Sequence, residues 1–206
     1  MNPFSYSKTK HIRHQEPDAF ALYRKYKPVL RIEFAKKCVY CRMPDTMKGI
    51  DGFGVDHYRP KSIFPNLRAT YSNLYYCCNQ CNRRKTDYWP SPKLESTHFI
   101  PNPCDHVMFS HLKYESSNVV SKSQPGDVAM SYMDFNDSAS IEQRQLMIDM
   151  IDLATSKKQE IEFVIQRISR LRDSGSIARS IAETRINQLQ ADLLVIDGNL
   201  QKLEGS

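Results

Sequence analysis

Long apolar runs are missing from this chain of 206 residues. No stretch approaches the roughly 20 apolar residues that a helix needs to span a bilayer. The segment from Met1 to His14 also lacks the apolar centre of a secretory signal, because its few apolar residues are separated by polar residues and lysines. We therefore expect neither a membrane protein nor a secreted one, and instead a cytoplasmic chain whose thiols stay reduced.

Neither sign of charge dominates the composition. Lysine and arginine total 29 and aspartate and glutamate total 23, which gives a net charge of +6 with neutral histidines. Hydrophobic residues make up 40% and charged residues 25% of the chain, a balance typical of a folded globular protein. The length suits one domain, or one small domain with an appendage. The modest basic excess is compatible with an anionic partner without identifying one.

The first half of the chain separates into two segments of different composition. Residues 1–37 hold an apolar helical pattern that begins after Asp18, and Pro28 is expected to kink or split this helix. Residues 38–90 contain five of the six cysteines and many turn residues. That composition predicts short strands, loops and one short helix.

The second half also separates into two segments. Residues 91–140 show little helical period and predict an irregular connection with one or two short strands, for example at 118–120. Residues 141–206 hold two seams at alternating gaps of three and four residues, and the turn around Gly175 between them predicts an antiparallel helical hairpin. The first seam holds Met147, Met150, Ala154, Lys157, Ile161, Val164, Ile168 and Leu171, and the second holds Ile186, Leu189, Leu193, Ile196, Leu200 and Leu203.

Two Cys-x-x-Cys pairs are the most specific pattern in the chain. Cys38 and Cys41 form the first pair, Cys78 and Cys81 form the second, and 36 residues lie between them. Each pair places two thiolates on one tight turn, and two pairs complete a tetrahedral zinc site without an open position, which indicates a structural zinc ion. The alternative is a set of ordinary buried cysteines. Cys77 could replace Cys78 as a ligand, but the spacing would then be Cys-x-x-x-Cys, so Cys78 is preferred. Cys104 is expected to be a spare buried thiol.

Three short motifs accompany the cysteine pairs. Residues 54–62 read Gly-Val-Asp-His-Tyr-Arg-Pro-Lys-Ser, residues 71–76 read Tyr-Ser-Asn-Leu-Tyr-Tyr, and the second cysteine pair continues as Asn-Arg-Arg-Lys. Each motif is weak alone, but their order resembles that of the HNH family of nucleases, which have the ββα-metal fold. The resemblance covers about residues 36–88, with Asn82 where many members have their last histidine.

The resemblance implies the fold of the core, and the helical patterns predict what lies on either side of it. The expected fold is α+β, with a zinc-stapled ββα-metal core at 38–90, an N-terminal helix and the C-terminal helical hairpin. In this fold two strands form a hairpin, and the second cysteine pair opens the helix that follows.

The resemblance also implies the roles of the site residues. His57 is the general base that activates water, Asp56 and Asn82 hold a catalytic divalent cation, Mg²⁺ or Mn²⁺, and Asn73 orients the base or orders the loop. The chemistry agrees, since an imidazole can take a proton from water near neutral pH and hard oxygen ligands suit Mg²⁺. Basic residues flanking the motifs are expected to contact nucleic-acid phosphates. They are Arg59, Lys61, Arg68, Arg83, Arg84 and Lys85.

The exact residues of the motifs also carry a narrower resemblance. They are similar to those of the HNH proteins of bacterial anti-phage systems, such as the Septu-type and retron-associated modules. This likeness implies a partner ATPase of the ABC or SMC type, with the helical hairpin as a docking or dimerising element. The alternative is a hairpin that packs only on its own chain.

Three functions therefore remain open from the sequence. The first is a metal-dependent endonuclease that cuts DNA as an effector of bacterial defence. The second is an HNH nuclease that acts on RNA, since the motif reads a phosphodiester and not a sugar. The third is a zinc-dependent nucleic-acid-binding or adaptor protein without catalysis.

Overall fold

The structure, a computed structural model, describes residues 3–204. The described residues form two compact units, residues 3–145 and residues 146–204. Seven helices and four strands make up the described fold: α1 (Lys27–Glu33), α2 (Asp45–Lys48), β1 (Phe53–His57), β2 (Leu74–Cys78), α3 (Asn79–Lys85), α4 (Met108–His111), β3 (Leu112–Glu115), β4 (Asn118–Ser121), α5 (Gln124–Met133), α6 (Ser138–Asp173) and α7 (Arg179–Glu204).

The ββα arrangement predicted for residues 38–90 is present. β1 and β2 pair in antiparallel fashion, with Phe53 opposite Cys78 and His57 opposite Leu74. All five residues of β2 are buried, so this strand lies in the interior of the first unit. α3 follows β2 directly, because the side chain of Cys78 caps the helix by accepting a hydrogen bond from the backbone N–H of Cys81.

The N-terminal helix is shorter than the sequence pattern predicted. A 3-10 turn occupies Tyr23–Tyr26, and α1 begins at Lys27. Pro28 stands in the first turn of α1, where its missing N–H has no helical partner to lose. The proline therefore begins the helix instead of kinking it, and the expectation of a helix starting after Asp18 was wrong.

The segment 91–140 is more regular than the sequence indicated. β3 and β4 form a second antiparallel hairpin, which confirms the strand predicted near 118–120. The helix α5 was missed because Pro125 and Gly126 at its start resemble loop signals. Both fit the structure, since Pro125 lies in the first turn and the Oγ of Ser123 accepts a hydrogen bond from the N–H of Gly126 at 3.2 Å.

Residues 146–204 form the predicted antiparallel hairpin of α6 and α7. Gly175 lies in the connecting turn with a φ of 71°, and Lys158 of α6 pairs with Asp197 of α7, with Nζ and Oδ1 2.7 Å apart. The first predicted seam starts correctly at the buried Met147 but is wrong at its second position, because Ile151 is buried whereas Met150 is 42% exposed. Among the described helices, none is both long and apolar enough to cross a bilayer.

Candidate nuclease site and metal centre

Four cysteine side chains converge in the first unit. The Sγ atoms of Cys38, Cys41, Cys78 and Cys81 all lie within 4.8 Å of one another, and all four residues are buried. The Sγ atoms of Cys41 and Cys78 are 3.8 Å apart. A tetrahedral zinc centre with Zn–S bonds of about 2.3 Å has S–S edges of about 3.8 Å. The four thiols therefore have the number, chemistry and spacing of a structural zinc site.

Backbone hydrogen bonds fix the first cysteine pair against β2. The N–H of Arg42 donates to the carbonyl of Cys38 at 3.0 Å, and the N–H of Cys38 donates to the carbonyl of Met43 at 2.9 Å, which closes the turn. Val39 then donates its N–H to the carbonyl of Tyr76 on β2 at 3.1 Å. The two pairs are thus brought together by the backbone as well as by any bound ion.

The electrostatics of the cluster favour a thiolate at one position. Hydrogen bonds from Cys38, Cys41 and Cys81 lower the pKa of the Cys78 thiol, since they stabilise its charged form. Burial raises the pKa of the Cys77 thiol, which lies outside the cluster. The structure therefore selects Cys78 over Cys77 as the neighbour of Cys38, Cys41 and Cys81.

His57 is the last residue of β1, and its ring is held by two neighbours. Nε2 lies 2.9 Å from the carbonyl oxygen of Arg68. Because a carbonyl only accepts, Nε2 carries the hydrogen, and the Nδ1 atom of the neutral ring keeps a free lone pair. The ring of Tyr23 meets the imidazole edge-on at 4.6 Å between centroids. Burial lowers the pKa of His57, although the Arg68 carbonyl and the Asp56 charge act in the opposite direction.

Asp56 is buried, and both of its carboxylate oxygens are engaged. The hydroxyl of Tyr40 donates to Oδ2 at 2.6 Å, and the ammonium of Lys85 donates to Oδ1 at 3.1 Å. The same ammonium donates to the carbonyl of His57 at 2.8 Å. Each carboxylate oxygen has a further lone pair, so the hydrogen bonds orient the carboxylate without using all of its acceptor capacity.

Asp56, His57 and Asn82 line one cavity of about 230 Å³. Neighbours on a regular strand point to opposite faces, but β1 ends at His57, and both residues line this cavity. Asn82 approaches β1 at Gly54, where an added Cβ would lie 3.8 Å from its Nδ2. A carboxylate and a carboxamide at one opening are a ligand set that suits Mg²⁺ or Mn²⁺, with water and phosphate oxygens filling the remaining positions.

Asn73 does not line this cavity and instead holds the connection between β1 and β2. Its Oδ1 accepts a hydrogen bond from the N–H of Arg59 at 2.8 Å, and its Nδ2 donates to the carbonyls of Arg59 at 3.0 Å and Leu67 at 3.3 Å. The connection between the strands also contains Arg68, whose carbonyl faces His57. Asn73 therefore supports the loop that positions the imidazole.

Five of the six basic residues predicted to contact phosphates fall into two groups. Lys61 and Arg83 are exposed and line the cavity beside His57, and Arg59 is exposed over the ring of Trp89. Lys85 is buried against Asp56, so its ammonium is not available to a phosphate. Arg84 has internal partners, since its guanidinium bonds the carbonyls of residues 133 and 134 and the carboxylate of Asp137.

Two tyrosines that were not predicted as site residues contact Asp56 and His57. Tyr40 lies within the first cysteine pair and bonds Asp56, and Tyr23 lies before α1 and contacts His57. The signal for Tyr23 was present as Tyr-Arg-Lys-Tyr-Lys at 23–27, which interleaves aromatic and basic residues. No signal distinguished Tyr40, because a tyrosine between two candidate metal ligands is equally suited to packing.

Comparison with known proteins agrees with this geometry. Residues 38–88 match the family model described as HNH endonuclease, so this segment is an HNH domain. The chain is similar to the Septu protein PtuB of Bacillus thuringiensis, with 34% identity over 80 residues. The alignment covers 36% of this chain and 29% of that protein. No solved structure matches the chain.

Proposed function

We propose that the chain is a metal-dependent endonuclease that hydrolyses phosphodiester bonds of DNA through its HNH domain. The setting of His57 carries this proposal. Its Nε2 is fixed by the Arg68 carbonyl, and its ring opens on the cavity that Asp56 and Asn82 share. A zinc-binding adaptor without catalysis has no need of these three side chains around one cavity.

His57 is the general base of the proposed reaction. Since Nε2–H donates to the Arg68 carbonyl, Nδ1 accepts the proton of the attacking water. The water oxygen forms a bond to phosphorus, and the bond from phosphorus to the leaving oxygen breaks. Asn73 acts on the reaction indirectly, because it orders the loop that carries the Arg68 carbonyl.

Two kinds of metal ion fit the two ligand sets. Asp56 and Asn82 would hold a divalent cation, Mg²⁺ or Mn²⁺, which when bound offsets the negative charge of the reacting phosphate and the leaving oxygen. The four cysteines would hold zinc, a structural ion that fixes α3 against the strands. The exposed cations Arg59, Lys61 and Arg83 are the proposed contacts to the nucleic-acid backbone.

We infer a role in bacterial defence against phages from the similarity to a Septu protein. The partner implied by the sequence resemblance is an ATPase of the ABC or SMC type, and a second copy of the chain is the alternative. The helices α6 and α7 are the inferred contact region, since large apolar side chains on them are 65–75% exposed. These side chains are Leu153, Phe163, Ile181 and Leu194. A cytoplasmic location would keep the four thiols reduced for metal binding.

Cleavage of supercoiled plasmid and of structured RNA by the purified chain tests the proposal. Wild type should cut DNA with Mg²⁺ or Mn²⁺, and EDTA should stop it while the zinc content stays the same. His57→Ala should cut at least about 100-fold more slowly with unchanged zinc and thermal stability. Cutting of RNA but not of DNA would support the alternative function, an HNH nuclease that acts on RNA. Equal cutting by wild type and His57→Ala would contradict the role of His57.

A further inference from the structure

A second cavity adjoins the one that contains His57. It has a volume of about 330 Å³ and is lined in part by Arg24 and Lys27, both from the segment before and at the start of α1. The two cavities share Tyr23, Val55 and Asn82 as lining residues. The two cavities are therefore neighbours, and the second one lies along the Tyr23–Lys27 segment, which precedes the matched segment 38–88.

Tyr23 stands where the two cavities meet, and cations flank its ring. The ammonium of Lys61 lies 5.4 Å from the ring centroid, and the guanidinium carbon of Arg24 lies 5.8 Å from it. The edge of the ring contacts the imidazole of His57. Although burial raises the pKa of the Tyr23 hydroxyl, hydrogen bonding to Arg24 and the charge of Lys61 lower it overall.

The segment that carries Tyr23 is anchored on both sides. Tyr26 is buried, its hydroxyl accepts a hydrogen bond from the N–H of Phe20 at 2.9 Å, and its ring packs against Tyr71 at 5.5 Å between centroids. Lys27 donates from Nζ to the carbonyl of Ile50, just before β1, at 2.9 Å. The position of Tyr23 relative to His57 is thus set by packing and by hydrogen bonds.

The joined cavities have an excess of positive charge. The cations that line them are Arg24, Lys27, Lys61 and Arg83. Two carboxylates also line the first cavity, Asp56 with its ion pair to Lys85 and Asp87 with a hydrogen bond from Ser62. The cations Arg24 and Lys27 face no lining carboxylate in the second cavity, so this cavity suits a phosphate group.

We propose that the Tyr23–Lys27 segment is a second wall of the nuclease site, in which Arg24 and Lys27 bind a backbone phosphate next to the reacting one and Tyr23 positions the imidazole of His57. The inference rests on the proposed nuclease function. It adds a phosphate subsite outside the HNH motif. Tyr23 is a positioning residue, because it touches the base and not the reacting atoms.

Binding of a short fluorescein-labelled DNA duplex tests the subsite. In a His57→Ala background, Arg24→Ala should weaken binding about fivefold and reduce the slope of log affinity against log salt by about 0.9, the value for one phosphate contact. Lys25→Ala is the matched control, because Lys25 is an exposed cation of the same turn that does not line either cavity. It should leave the affinity and the slope close to those of the background protein.

Cleavage kinetics test the role of Tyr23. Tyr23→Ala should lower kcat about tenfold with little change in KM, because the imidazole loses its lateral support. Tyr23→Phe keeps the ring and should restore most of the rate. Arg24→Ala should instead raise KM with kcat nearly unchanged, as expected for a contact present before and during the reaction.

The results separate this inference from the proposed function. If wild type cuts DNA and His57→Ala does not, but Arg24→Ala and Lys25→Ala weaken binding equally, the nuclease function stands and the subsite is wrong. If Tyr23→Phe is as slow as Tyr23→Ala, the ring contact is not what positions His57. If wild type neither binds nor cuts DNA or RNA, both the function and the inference fail.

Discussion

Asp56 and Lys85 form an ion pair inside the first unit. Their side chains are 3% and 2% exposed, and the Nζ and Oδ1 atoms are 3.1 Å apart. Removing one partner of a buried pair leaves an uncompensated charge, which is more costly than the pair itself is favourable. The pair thus orients the carboxylate proposed to hold the catalytic cation, and it also constrains the fold.

Substitution of Lys85 should therefore destabilise the protein strongly. We expect Lys85→Met to lower the free energy of unfolding by about 3–5 kcal/mol, because Asp56 would keep only the hydrogen bond from Tyr40. Urea denaturation followed by circular dichroism measures the change. Arg83→Met is the control on the same helix, since Arg83 is exposed and should change stability by less than about 0.5 kcal/mol. Equal effects of the two substitutions would contradict the assignment of Lys85 to the interior.

Glu33 is a second buried carboxylate whose charge the structure stabilises. Burial alone would raise its pKa, but hydrogen bonds from the backbone N–H groups of His14 and Gln15 and from the side chains of His11 and Tyr71 lower it overall. The folded state therefore holds the carboxylate more strongly than the unfolded chain does. Its stabilising effect is complete above the unfolded pKa of about 4.3 and is lost as the pH falls through the lower folded pKa.

Glu33→Gln should reveal this pH dependence. The difference in unfolding free energy between wild type and the variant should be constant from neutral pH to about pH 5 and should shrink as the pH falls below about 4.3. Urea denaturation at a series of pH values measures the difference. A difference that stays constant or grows toward pH 3 would show that the Glu33 charge is not stabilised by folding.

The sequence motif predicted some of the site residues correctly and others wrongly. The motif identified the residues that line the cavity, His57, Asp56 and Asn82. It did not separate Lys85 from Arg83, because adjacent basic residues look equivalent in a sequence. Helical periodicity does separate them, since Cys81 and Lys85 are four residues apart and share the inner face of α3, where both are buried.

At the scale of elements, α5 depends on a close approach that only glycine permits. A Cβ on Gly126 would lie 2.1 Å from the carbonyl oxygen of His111 and 2.6 Å from the Oγ of Ser121. The backbone carbonyl of His111 cannot move away cheaply. α5 is thus packed against the residue that ends α4.

Two glycine substitutions should accordingly have opposite effects. Gly126→Ala should lower the thermal stability of the first unit, by about 2 kcal/mol or more, because the new methyl group overlaps backbone. Gly198→Ala should raise the stability of α7 by about 0.5–1 kcal/mol, because no atom lies within 4 Å of the new Cβ and alanine favours the helix. Differential scanning calorimetry of both variants measures the effects. A stabilising Gly126→Ala would contradict the observed packing of α5.

Elements with a strong local signal were the ones that the sequence predicted well. The hairpin of α6 and α7 follows from two regular seams and one glycine turn, and β1, β2 and α3 follow from the motif. α5 was missed because residues 91–140 show little helical period, and Pro28 was expected to interrupt a helix that it instead begins. A proline in the first turn is compatible with a helix, and only tertiary contacts decide which reading applies.

At the scale of the whole molecule, the four cysteines connect parts of the chain that are far apart in sequence. They join the loop after α1 to the end of β2 and the start of α3. A metal ion held by these thiols contributes its binding free energy to folding, because the unfolded chain has no preformed site. Residues of β1 and α3 line the cavity that contains His57, so an ion held by these thiols would help to fix its geometry.

Exchange of neighbouring cysteines tests the zinc site. Cys78→Ala should remove most of the zinc and unfold the first unit, whereas Cys77→Ala should retain about one zinc per chain. Both cysteines are fully buried, so the comparison separates metal binding from loss of packing. Plasma mass spectrometry gives the metal content, and circular dichroism gives the fold. Zinc loss in Cys77→Ala with zinc retained in Cys78→Ala would reverse the ligand assignment.

The similarity to known proteins covers only part of the chain, so helices and contacts outside residues 38–88 were predicted less well. The HNH match ends at residue 88, and the aligned part of the Septu protein is 29% of its length. Inside the match, the order of the motifs predicted β1, β2 and α3. Outside it, only periodicity and turn residues were available, and these do not reveal packing between distant segments such as Tyr23 and His57.

Chemical rescue of His57→Ala is the sharpest test of the proposal that His57 is the general base. Single-turnover cleavage of plasmid DNA would be measured with saturating Mg²⁺, at matched zinc content, with increasing concentrations of imidazole. We expect the variant to cut about 100-fold or more slowly than wild type, and its cleavage rate to recover partly as the concentration of neutral imidazole rises. A variant that cuts as fast as wild type without imidazole would show that His57 is not the base.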